Sequence, residues 1–118
     1  MITVWVTFRM EGWHRWPQAP EERKYLSHSH RHMFHYKVEV AVDGQDREVE
    51  CHDLRDHCLR WFRKYDFTPS GRLELGRLSC EMLATEMVAW VRLSWPERWV
   101  AVEVGEDGEC GARVEVRP

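Results

Sequence analysis

No apolar run in the 118-residue chain approaches the roughly 20 residues that a membrane-spanning helix needs. The formal charge of −3 is small, so nothing draws the protein generally toward nucleic acid or an anionic bilayer. Its four cysteines, Cys51, Cys58, Cys80 and Cys110, form no Cys-x-x-Cys pair. Reduced thiols in a cytoplasmic protein are the plain expectation. Met1-Ile-Thr-Val-Trp5 runs straight into strand-like sequence, so no signal peptide is expected. There is no internal repeat and no linker, so residues 1–118 read as one domain. Against these absences stand an ordinary apolar content of 43%, enough for a core, and seven tryptophans. That many indoles point to aromatic packing, an oligomer interface, or walls around a planar ligand.

Hydropathy patterning orders the chain as β-β-α-α-β-β. Ile2, Val4, Val6 and Phe8 alternate with polar neighbours and predict a first strand, followed by a long loop over residues 11–29. A second strand spans about 30–42 and ends at the turn signal Asp43-Gly44-Gln45-Asp46. Cys51, Leu54, Cys58, Trp61, Phe62 and Tyr65 keep helical spacing and predict a helix from about Glu50 to Tyr65. Ser79 is an N-cap for a second helix carrying Leu83, Met87, Trp90 and Val91, which Trp95-Pro96-Glu97 ends. Trp99–Val104 predicts a third strand, Gly105–Gly111 a glycine-rich connection, and Ala112, Val114 and Val116 a fourth strand. The expected fold is α+β: an antiparallel four-stranded sheet with two helices on one face.

The densest chemistry lies in His28-Ser-His-Arg-His-Met-Phe-His35, four histidines in eight residues at the start of strand two. Side chains on a strand alternate between faces, so His30 and His32 lead the face that continues through Phe34, Tyr36, Val38, Val40 and Val42. Two residues of strand separate them by roughly 6–7 Å, which lets two imidazoles converge on one metal ion. A metal site with catalytic potential needs a third ligand, and His14 in Met10-Glu-Gly-Trp-His14 is the best candidate. Three imidazoles suit zinc as well as copper, nickel or iron. His35 falls on the opposite face, and His52 and His57 on helix one are expected at its surface or flank. Glu81 sits in the first turn of helix two, where a carboxylate favours the helix dipole. Trp5, Trp13, Trp16 and Trp99 are candidates for a pocket lining, the core or a subunit interface.

These motifs resemble the 6-pyruvoyl-tetrahydropterin synthase and 6-carboxytetrahydropterin synthase family over most of the chain. Members carry a histidine after strand one, then a His-Gly-His-x-Tyr-x-Val-x-Val strand. His30-Arg-His32-Met-Phe34-His-Tyr36-Lys-Val38 fits that strand, with Arg31 for glycine and Phe34 for tyrosine. Arg47-Glu-Val-Glu50-Cys51-His-Asp-Leu54 is similar to the family's Val-Val-Asp-Phe-x-x-Leu at the start of a helix. Ser79-Cys-Glu81-Met-Leu83-Ala84 is similar to its Pro-Thr-x-Glu-Asn-Leu-Ala. Glu106, followed six residues later by Ala112, resembles its Glu-(x)5-Ala signature.

The resemblance implies a tunnelling-fold unit that assembles as a homo-oligomer, trimer or hexamer, with active sites between subunits. It implies Zn2+ held by His14, His30 and His32, and a pterin-like ring held by Glu106. The activity implied is a pterin-forming lyase acting on dihydroneopterin triphosphate or a related pterin or deazapurine precursor, as in biopterin or queuosine biosynthesis. The chain departs from the family where protons move. Leu26 stands where members carry a cysteine four residues before the first motif histidine. The family's Asp-His pair between the helices is also missing. Asp66-Phe67 occupies that region, and Asp56-His57 falls inside helix one. His28 is the candidate catalytic base, with Glu21 or Glu22 as alternatives. An altered homologue that binds zinc and a ring without turnover is the second expectation.

Overall fold

A computed structural model of the chain describes residues 1–66 and 68–118; Phe67 lies outside them. Alternation of apolar and polar residues builds the long strands β1 (Ile2–His14) and β2 (His30–Val42). They pair antiparallel along their whole length, from Ile2 against Val42 to His14 against His30. β4 (Val100–Glu106) adds antiparallel to β2, and β5 (Cys110–Val116) to β4. A three-residue strand, β3 (Glu74–Gly76), pairs parallel to the end of β1 and completes the order β3-β1-β2-β4-β5.

The α+β class is as expected, but among the described residues the sheet has five strands and is mixed rather than four-stranded and antiparallel. β3 is too short to leave a periodic trace. It is fixed by neighbours far away in sequence: Trp13 N–H donates to Leu73 O (2.9 Å) and Arg15 N–H to Gly76 O (2.8 Å). β1 also runs through Gly12, Trp13 and His14, which the sequence places in a loop. The alternation survives there, with Gly12 and His14 buried and Glu11 exposed. The expected loop also holds a kinked 3-10 segment, Glu21–Ser27.

Val6, Phe8, Phe34, Tyr36, Val38, Val40, Val100, Val102 and Val104 project from one sheet face into a single core. Helix α1 (Cys51–Arg60) contributes Leu54 and Cys58, and α2 (Cys80–Ser94) contributes Cys80, Leu83, Ala84, Met87, Val88 and Val91. α1 is shorter than expected, because Trp61–Tyr65 tightens into 3-10 geometry. Cys51, assigned by spacing to the inner stripe, is exposed, and Trp90 is only half-buried. His57, expected at the surface, is buried. Its ring stacks on Trp90 (centroids 4.9 Å), Nε2 donates to Trp90 O (2.7 Å), and Nδ1 accepts from Ser94 Oγ (3.3 Å). His52 is exposed, as expected. Of the tryptophans singled out, Trp5 and Trp16 are exposed, and Trp13 and Trp99 half-buried.

The expected glycine-rich connection is mostly strand. β4 and β5 meet through Asp107-Gly108-Glu109, with Asp107 (φ 57°) and Gly108 (φ 73°) both left-handed and Glu109 N–H bonded to Glu106 O. That is the tight turn an Asp-Gly pair favours. Among the described residues no helix is long and apolar enough to cross a membrane.

Candidate metal centre

Strand parity gathers the site. His14 ends β1, His30 and His32 begin β2, Glu106 ends β4, and all four take inward positions in their strands. The register sets His14 opposite His30, Gly12 opposite His32, and Phe34 opposite Glu106. Phe34, fully buried, forms the floor, with the rings of His14 and His32 edge-on to it at 5.1 and 5.7 Å.

The three imidazoles stand close together, with centroids 4.6 Å (His14–His30), 5.2 Å (His14–His32) and 5.0 Å (His30–His32) apart. One ring nitrogen of each lies within 4.8 Å of the other two. Three nitrogens bound to one zinc ion sit about 3.4 Å apart, from bonds of ~2.0–2.1 Å in tetrahedral geometry. Small ring movements close that gap.

The second nitrogen of each ring is already committed. Nδ1 of His14 lies 2.8 Å from Leu78 O, Nδ1 of His30 lies 2.9 Å from His28 O, and Nδ1 of His32 lies 2.7 Å from Asp107 Oδ2. Carbonyls and carboxylates only accept, so each Nδ1 carries a proton, and in the neutral ring it is Nε2 that keeps the lone pair. Burial, chiefly, holds the His14 pKa below the ordinary imidazole value, which favours this neutral form. A backbone hydrogen bond to Met33, with the His32 ring second, holds Asp107 below the usual carboxylate range.

Glu106 completes the cluster, with Oε1 3.5 Å from Nε2 of His14 and Oε2 3.4 Å from Nε2 of His32. In the neutral tautomer two Nε2 lone pairs face this carboxylate. Three imidazole nitrogens beside a carboxylate are donors that a cation draws together, so the set fits a divalent metal. Cys80, at the first position of α2, donates its thiol to Glu106 Oε1 (3.6 Å). Burial, and then the neighbouring carboxylate, push this thiol up to about 12, so it remains S–H.

Of the residues picked from sequence, His14, His30, His32 and Glu106 come together. His28 does not: it is exposed, and its contribution is the main-chain carbonyl on His30. Glu21 and Glu22 are exposed, while Leu26 is half-buried and its carbonyl accepts from Trp16 N–H (2.8 Å). His35 stands on the other face of β2, opposite Arg9 and Gly105. Sequence reasoning missed Cys80 and Asp107. The only advance signals were the position of Cys80 directly after an N-cap serine and the Asp-Gly turn dipeptide following Glu106. Compared with protein-family models and with curated proteins, the chain matches none.

Proposed function

We propose that the protein is a zinc-dependent lyase of the 6-pyruvoyl- or 6-carboxytetrahydropterin synthase type. Its substrate would be dihydroneopterin triphosphate or a related pterin or deazapurine precursor. The supporting observation is the cluster of His14, His30 and His32, each ring held through its Nδ1 and two of them turning Nε2 toward Glu106. The three histidines would hold the zinc ion, which supplies Lewis-acid polarisation of a substrate hydroxyl or carbonyl. Glu106 would accept two parallel hydrogen bonds from the N–H and NH2 of a 2-amino-4-oxo pyrimidine edge, as carboxylates do from guanidinium. The Cys80 thiol would steady that carboxylate from behind. In this reading the unit is a tunnelling fold whose sheet edges are closed by further copies, as a trimer or hexamer.

A second reading, a homologue that binds zinc and a ring but no longer turns over, is favoured by one observation. Leu26 stands at the usual cysteine position, and the exposed His28 engages the cluster through its backbone alone. Purified protein incubated with dihydroneopterin triphosphate separates the two. The lyase releases triphosphate or acetaldehyde, whereas tight pterin binding without product leaves only the binding reading. Elemental analysis checks the metal: the wild type should carry about one zinc per chain and His30→Ala much less. Equal zinc in the two proteins would end both readings.

A further inference from the structure

The three imidazoles are not fixed alike. His14 and His30 give their Nδ1 protons to main-chain carbonyls, whereas His32 gives its proton to a carboxylate, Asp107 Oδ2, at 2.7 Å. The other oxygen of Asp107 accepts from Met33 N–H (2.9 Å), and the Asp107 N–H donates to Met33 O (2.8 Å). Asp107 therefore grips β2 at three points from the β4–β5 turn. Consecutive strand residues point to opposite faces, but the left-handed backbone at Asp107 (φ 57°) breaks that rule. Successive carboxylates then reach the same ring, with Glu106 at Nε2 (3.4 Å) and Asp107 at Nδ1. A charged acceptor makes a hydrogen bond roughly twice as strong as a neutral one and raises the basicity of the distal nitrogen.

We infer that Asp107 is a positioning residue for the metal centre: it holds His32 in the tautomer that presents Nε2, and it ties the turn bearing Glu106 to the strand bearing the ligands. This rests on the metal reading above. Asp107→Asn keeps the size and one accepting oxygen but removes the charge. Competition against a chromophoric chelator should show zinc held about 10–100-fold more weakly by this variant. Its circular dichroism should match that of the wild type. Nitrogen-15 ring shifts of the metal-free wild type should show His32 protonated at Nδ1, a readout that needs no variant to fold. Zinc binding by Asp107→Asn within about twofold of a wild type that does bind it would overturn this inference alone. So would a His32 ring protonated at Nε2. A wild type that takes up no zinc would overturn the metal reading and this inference together.

Discussion

Gly12 and Phe34 determine how closely the imidazoles can gather. A Cβ added at Gly12 would come within 2.9 Å of Leu75 Cδ1 and 3.2 Å of the Phe34 ring, the floor against which His14 and His32 rest. Gly12→Ala should therefore destabilise the protein by about 1–3 kcal/mol, an overpacking cost, in urea unfolding. If the cluster holds zinc, its affinity should fall with it, because displacing Phe34 disturbs the rings of His14 and His32 at once. A variant matching the wild type in both measurements would show that the floor has slack. At this scale the His30/His32 parity was legible, since it needs only the two-residue period of a strand. Gly12 was not, because a glycine between Glu11 and Trp13 reads as a break. Asp107 and Cys80 were also hidden, as their partners lie 75 and 26 residues away.

The elements most readable from sequence were those whose packing repeats: β2 and β4 by alternation, and α2 by its Ser79 cap, whose Oγ accepts from Met82 N–H. His57 was misjudged because its hydrogen-bond partners, Trp90 and Ser94, belong to the other helix. The start of α1 holds Glu50, Cys51 and His52 at ligand distance from one another. Here a cap explains the grouping, since Glu50 accepts from Asp53 N–H (3.0 Å) and from Nδ1 of His52 (2.8 Å). The backbone amide of His52 and then its ring lower the Glu50 carboxyl to about 2, and Glu50 raises the His52 pKa. A depressed carboxyl stabilises the fold above its unfolded value of 4.5, and that contribution is lost as pH falls toward 2. A raised imidazole stabilises below 6.5, and that contribution is lost as pH rises through its folded value. The two overlap between 4.5 and 6.5. Glu50→Gln should lower the melting temperature most at about pH 5.5, less at about pH 8, and hardly at all near pH 2. A deficit independent of pH would leave shape, not charge, as the source of the cap.

The chain as a whole is more extended than its length requires. Its radius of gyration is 15.4 Å, against about 13.5 Å for a compact domain of this size. The length comes with the pair of 13-residue strands, each about 43 Å end to end beside a longest dimension of 50 Å. β5 is the edge strand on one side of the sheet, and on the other side β3 pairs only with the end of β1. Among the described residues the first eleven of β1 therefore have no strand on that edge, next to a face bearing the exposed Trp5, Thr7 and Arg9. Unpaired edges of that length invite strand pairing with another chain unless a partner closes them. A closed ring of identical subunits satisfies both edges with one repeated contact, β5 of each copy meeting β1 of the next. Sedimentation velocity at micromolar concentration should then give roughly 43 kDa for a trimer or 85 kDa for a hexamer, not the 14.2 kDa of one chain. Zinc and pterin binding measured across the dissociation range extend the test. If active sites form between subunits, ring affinity should collapse on dilution to monomer, while zinc, whose three histidines come from one chain, stays bound. A monomer that binds both ligands with undiminished affinity would mean that a single chain builds the entire site.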